Sequence, residues 1–234
     1  MSRPRVYAAR RVTEPVRAEL ERLFDLQLHD NERPPDREAL LAGCAGADGV
    51  LVTLSDRVDD ELLDAAGPQL RVVANHAVGY DNVDLEAASR RGIVVANTPD
   101  VLTHATAELA VALMLDLLRR VTEGDRLVHA GRDWIWAPTF MLGRSLRGRV
   151  VGVVGLGRIG REVARLAEAH GATVVYAGPS EQPDVPYERL PLEELLARAD
   201  IVTLHCPLTP RTRHLIGTEA LERMRPSEIG RAHV

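Results

Sequence analysis

The chain has 234 residues, 45% of them apolar and 27% charged, a balance that fits a folded globular protein and excludes a disordered one. Acidic residues outnumber basic ones 34 to 29, for a formal net charge of -5, which argues against a nucleic-acid partner. No apolar run approaches the about 20 residues of a membrane span, so no membrane partner is expected, and the Met-Ser-Arg-Pro-Arg start does not read as a secretory signal.

Along the chain, apolar runs alternate with amphipathic stretches. Strands are predicted at residues 6–9, 25–28, 49–53, 70–74 and 93–96, and helices at 16–24, 37–41, 59–66 and 85–91, the last ended by Gly92. Strands that are apolar throughout, rather than alternating, belong to a parallel sheet covered on both faces. Asn97-Thr98-Pro99 breaks the rhythm. From Thr103 to Val121 a helix is predicted with Leu109, Ala110, Leu113, Met114, Leu117 and Leu118 on too many faces for a surface position, so burial between two domains is expected. Residues 131–149 show no period and hold both tryptophans, Trp134 and Trp136, in a chain only 3% aromatic. Such a segment suits contact with a second subunit. A second unit follows, with strands at 150–154, 173–176 and 200–205 and helices at 159–170, 192–198 and 217–224. Cys44 and Cys206 lie far from any CxxC or His-rich spacing, so neither a disulfide nor a metal site is expected and the chain reads as a reduced, cytoplasmic protein.

One motif carries chemistry. Gly155-x-Gly157-x-x-Gly160 closes a strand and opens a helix, with a second strand ending near Tyr176. The first glycine permits the tight turn, the second lets the backbone approach a pyrophosphate, and the third lets helix and strand pack closely. The helix N-terminus adds free N–H groups and the positive end of its dipole. A dinucleotide is the expected ligand. In such folds an Asp or Glu at the tip of the second strand accepts from the ribose 2′-OH of NAD, while a nearby Arg suits the 2′-phosphate of NADP. Here the tip reads Tyr176-Ala177-Gly178-Pro179-Ser180, with neither, so the expectation is NAD(P) with a lean to NADP.

Beyond the glycine motif, four stretches carry a family resemblance: Asn75-His-Ala-Val-Gly-Tyr-Asp-Asn-Val-Asp84, Gly92-Ile-Val-Val-Ala-Asn-Thr-Pro-Asp-Val-Leu-Thr103, Thr106-Ala-Glu-Leu-Ala110 and His205-Cys-Pro-Leu-Thr-Pro-Arg-Thr212. In order and spacing the chain resembles the D-isomer-specific 2-hydroxyacid dehydrogenases, most like glyoxylate/hydroxypyruvate reductases. The resemblance implies an α/β protein with a flavodoxin-like substrate domain over 1–98 and a doubly wound parallel Rossmann domain over 99–234, incomplete. It implies reduction of a small 2-oxo acid, glyoxylate or hydroxypyruvate, to the D-2-hydroxy acid by hydride from NAD(P)H.

By position, the loop at Val78 and Gly79 would offer backbone N–H groups to the substrate carboxylate, with Leu54 and Ser55 lining the pocket. Thr106 would reach the cofactor. Gly155, Leu156, Gly157, Arg158, Ile159 and Gly160 would hold the pyrophosphate, Gly178, Pro179 and Ser180 the adenosine ribose, and Cys206, Pro207 and Thr212 the adenosine rim. The arm from Trp134 to Met141 would make a homodimer.

The family's substrate-clamping Arg, its general-acid His and the Glu that tunes it would lie beyond the chain end. Arg231 and His233 are out of frame, too early and supported by no predicted strand, so no catalytic residue is assigned. Residues 229–234 resemble a peptide that one frame of a common sequencing adapter would encode, and the expectation is a natural chain that continues past Ser227, leaving this part inactive alone. The alternative expectation is a non-catalytic, redox-sensing dinucleotide module on the same scaffold. His76 and His205 read as structural, His104 as solvated, and the acidic run from Asp56 to Glu61 as charge at a helix start.

Overall fold

The computed structural model describes residues 3–225 and the backbone of residues 229–231. The chain divides into two compact units, Met1–Asp100 and Val101–Val234. No helix among the described residues is long and apolar enough to cross a membrane.

The first unit alternates β1 (Arg5–Ala8), α1 (Glu14–Leu23), β2 (Asp25–Leu28), α2 (Arg37–Cys44), β3 (Gly49–Val52), α3 (Asp60–Ala66), β4 (Val72–Asn75), α4 (Leu85–Arg90) and β5 (Val94–Ala96). All strand pairs are parallel, in the order β2-β1-β3-β4-β5. The order reverses between β1 and β3, and that switch point is where open α/β sheets leave a crevice at the strand ends. Tyr7, Val50, Val52, Leu62, Leu63 and Val73 form the centre of its core. Three helices begin on the same device: Asp36, Asp59 and Asp84 accept from the N–H groups of Ala39, Leu62 and Ala87 at 2.8, 3.2 and 2.8 Å. Burial pushes the Tyr7 hydroxyl and the Cys44 thiol up to about 12, so both stay protonated in the core.

The second unit contains α5 (Thr103–Arg119), α6 (Val121–His129), β6 (Val150–Val154), α7 (Arg158–Ala169), β7 (Thr173–Ala177), β8 (Glu188–Arg189), α8 (Leu192–Arg198), β9 (Ile201–Leu204), α9 (Thr218–Arg223) and β10 (Ile229–Arg231). Its sheet is parallel in the order β10-β9-β6-β7-β8, with the switch point between β6 and β9. One face packs on α5 and α7, the other on α8.

Four features depart from the sequence expectation. The long predicted helix breaks at Arg120 (φ 57), where Asp116 accepts from both the N–H and the hydroxyl of Thr122, and α6 follows. That helix is amphipathic but buries none of its residues. α5 is not buried all round: Ala107, Ala110, Val111, Met114 and Leu118 form its buried face, and Leu109 is exposed. β8 is two charged residues recruited by pairing with Val175 and Tyr176. Residues 229–231, read as lacking any strand, pair in parallel with β9, so Arg231 does lie on a strand; His233 falls outside the described residues.

The His104 imidazole is also not simply solvated. Its Nδ1 lies 2.8 Å from Glu162 Oε1 and its Nε2 3.0 Å from Glu108 Oε1, so it joins α5 to α7. Arg165 binds the same Glu162 carboxylate at 2.6 and 2.9 Å. Arg165 first, then His104, hold Glu162 down from 4.5 to about 2. A carboxylate with a depressed folded pKa contributes stability above its unfolded value and loses it as pH falls toward the folded one. Glu162→Gln should therefore lower the urea midpoint at pH 6, and the gap to the parent protein should close between pH 4.5 and 2. A gap that widened on acidification would contradict this linkage.

Candidate functional site

At the end of β6 the chain must turn into α7 within three residues, Gly155, Leu156 and Gly157. Gly155 starts the turn with φ 93, and a Cβ there would stand 2.7 Å from Cys206 N and 2.8 Å from His205 C. Its N–H donates to Ala177 O at 2.8 Å, so the ends of β6, β7 and β9 converge on this glycine. Gly160 has a different constraint: a Cβ would strike the Gly155 carbonyl. Gly157 caps α7 in extended backbone (φ -78, ψ -161), and no atom beyond its chain neighbours lies within 4 Å of where a Cβ would stand. The first helical bond runs from Arg161 N to Gly157 O at 2.9 Å, so the amides before it belong to the helix end that lacks intrahelical partners. Gly155 and Gly160 make the turn, and Gly157 keeps space open before a positive dipole end. Those features fit a diphosphate.

Around this turn the structure gathers several expected residues. Leu156 is buried in the core, while Arg158 is exposed and Ile159 half-buried at the helix start. Cys206 is brought to Gly155 by its backbone, and burial raises its thiol pKa. Gly178 faces open space, and Pro179 and Ser180 are exposed at the β7 tip. The Thr212 hydroxyl donates to Pro207 O at 2.6 Å and accepts from Thr209 N at 2.8 Å, so it closes its own loop. Thr106 sits half-buried in the first turn of α5. His205 Nε2 lies 2.9 Å from Thr203 Oγ1.

In the first unit, the loop after β4 has an unusual backbone arrangement. Ala77 O accepts from Thr98 N at 2.9 Å, Val78 O from Asn97 Nδ2 at 2.9 Å, and Gly79 O from Asn75 Nδ2 at 2.9 Å. A planar trans peptide turned by its carbonyl aims the next N–H the opposite way. The Val78 and Gly79 N–H groups make no hydrogen bond among the described residues. Two adjacent free amides suit an anion. Leu54 Cδ2 lies 3.9 Å from where a Gly79 Cβ would stand, so the expected Leu54–Gly79 neighbourhood exists.

Sequence reasoning missed what holds this loop. Asp56 is not helix-start charge. It is buried, pairs with Arg10 Nη2 at 3.1 Å, and accepts from Thr53 N at 2.8 Å. Arg10 Nη2 also donates to Thr53 Oγ1 at 2.9 Å and Ser55 Oγ at 2.8 Å, so Ser55 is tied into this network. Asn82 Nδ2 donates to Thr53 O at 3.1 Å and Asp56 O at 3.0 Å and meets the Asn75 amide, which couples the β3 loop to the β4 loop. Their signal, polar residues that follow β1, β3 and β4 and meet across neighbouring strand ends, emerges only once strand order is known.

Comparison with known proteins agrees with this geometry. Residues 111–230 match the family described as D-isomer specific 2-hydroxyacid dehydrogenase, NAD binding domain. The chain is 42% identical over 232 residues to the glyoxylate reductase of Korarchaeum cryptofilum, covering 97% of this chain and 70% of that protein. This chain belongs to the D-isomer specific 2-hydroxyacid dehydrogenases. Another relative, the glyoxylate reductase of Aeropyrum pernix, is 43% identical over 237 residues, covering 98% and 70%. The crystal structure of a Thermus thermophilus protein, TT0316, superimposes with a TM-score of 0.90 at 42% identity, covering 97% of this chain and 73% of that one. As a 2-hydroxyacid dehydrogenase, the protein is an oxidoreductase acting on a CH–OH donor with a nicotinamide dinucleotide, and its substrates are small molecules.

Two substitutions test the geometry. Gly157→Val places methyl groups in open space, so the protein should fold normally yet lose on the order of tenfold or more in coenzyme affinity by fluorescence titration. Unchanged affinity would show that the space before Gly157 is not the diphosphate site. Asp56→Ala strands the largely buried Arg10 guanidinium and should destabilise the protein by about 3 kcal/mol in urea unfolding. A change near zero would mean that the pair does not hold the loop.

Proposed function

We propose that the protein reduces glyoxylate, with hydroxypyruvate as a related substrate, to the corresponding D-2-hydroxy acid. The supporting observation is the pair of unengaged amides at Val78 and Gly79, whose neighbouring carbonyls are all tied back. Such a pair suits the carboxylate of a small 2-oxo acid without a mobile charged side chain. Leu54, which is exposed beside Gly79, would limit the substrate's other end. Residues 1–98 then act as the substrate domain and 99–234 as the cofactor domain. The names of the relatives, glyoxylate reductases at 42% and 43% identity, point the same way.

The bound coenzyme would supply a hydride. Gly155 to Gly160 would fix its diphosphate, while Gly178, Pro179 and Ser180 bracket the ribose end. A β7 tip without a carboxylate does not repel a 2′-phosphate, which favours NADP. Thr106, Cys206, Pro207 and Thr212 would complete the rim. None of the described histidines is assigned the proton-donor role. The exposed Ile135 and Trp136, next to a Trp134–Phe140 stack with centroids 6.2 Å apart, favour a homodimer through the arm. Cys44 and Cys206 are free thiols, which fits a reducing, cytoplasmic setting.

The protein expressed from its natural gene should consume NADPH, followed by the absorbance of the reduced nicotinamide, when glyoxylate is added. Coenzyme binding without turnover on glyoxylate or hydroxypyruvate would replace this reading with a non-catalytic dinucleotide module.

A further inference from the structure

The β7 tip has no arginine in its own sequence, but the fold supplies one. β8 runs parallel to β7 with Arg189 opposite Tyr176. From there the guanidinium reaches over the tip: Nη2 donates to Gly178 O at 2.8 Å, and Nε to the same oxygen at 3.2 Å. Nη2 also lies 3.5 Å from Pro179 O, so both partners are neutral carbonyls. The other arginines at this edge are neutralised, Arg161 by Asp184 at 2.5 and 3.0 Å and Arg198 by Glu188 at 2.6 Å. Arg189 forms no ion pair among the described residues, and its Nη1 makes no hydrogen bond there.

An arginine held by carbonyls, with an unused nitrogen and an uncompensated charge, is preorganised for a further anion. In the same tip, two residues past Gly178, Ser180 Oγ accepts from Gln182 Nε2 at 3.3 Å and keeps its own O–H to donate. Gly178 presents open space where a side chain would stand. The opposing charge nearby in sequence is Glu181, which is exposed and bonded to neither residue.

We propose that Arg189 selects the coenzyme: its Nη1, with the Ser180 hydroxyl, binds the 2′-phosphate of NADP, while the carbonyls of the β7 tip hold the guanidinium in place. This rests on residues 155–160 being the dinucleotide cradle. A doubly ionised phosphate monoester gains a charge-assisted hydrogen bond there, whereas the neutral 2′-OH of NAD gains little.

The test compares Arg189→Ala, Arg189→Lys and Glu181→Gln in the protein expressed from its natural gene, with NADPH and NADH measured separately by fluorescence titration and steady-state kinetics. Arg189→Ala should raise KM and Kd for NADPH on the order of tenfold or more, leave kcat and every NADH value nearly unchanged, and Arg189→Lys should restore part of the loss. Glu181→Gln should tighten NADPH alone. Equal weakening of both coenzymes by Arg189→Ala, or an unaltered NADPH preference, would overturn the assignment. A parent protein that prefers NADH would overturn it too. Failure of the parent protein to bind either coenzyme would instead overturn the cradle reading on which it rests.

Discussion

At Gly155 three strand ends meet within hydrogen-bond distance, and the second unit's chemistry depends on that meeting. The residue must take positive φ, and its missing side chain lets the backbone of His205 and Cys206 close to within 2.8 Å of where a Cβ would stand. A bulkier residue would push β9 away from the β6–α7 turn. The helix end would then lose its fixed place at the switch point, and with it the alignment of free amides that an anion requires. Apart from Thr106 on α5, the residues proposed for the dinucleotide lie on the β6 turn, the β7 tip and the loop after β9.

The first unit solves a similar problem by other means. There the anion-suited amides sit in a loop rather than at a helix end, and a loop needs side chains to hold it. Asn75 and Asn97 fix the carbonyls, and the Asp56–Arg10 pair anchors the neighbouring loop through Thr53 and Ser55. Charge is thus buried in support of the loop, while the polar surface the loop presents is backbone N–H. In an acidic chain, local N–H geometry and the Arg189 guanidinium would act on an anion at short range, where the net charge of -5 is largely screened.

Much of this was legible in advance because local signals and tertiary structure agree. Apolar runs at 49–53 and 150–154 read as strands of a parallel sheet, and the spacing of Gly155, Gly157 and Gly160 reports a turn whose physics is local. What stayed hidden has a common cause. α6 begins at a break made by the left-handed backbone of Arg120 and the Asp116–Thr122 bonds, and β8 exists because β7 offers an edge to two charged residues. His104 looked solvated because Glu162 lies 58 positions away.

The amino-acid order alone determined the parallel α/β class, the glycine turn and the family, since each is written in neighbouring residues whose preferences are set by sterics, hydrogen bonding and apolar periodicity. Strand order decided the rest. It set Arg10 against Asp56 from 46 residues away and laid Arg189 across Gly178, because the partner of a buried or parked charge is chosen by sheet neighbours, and no local rule names them.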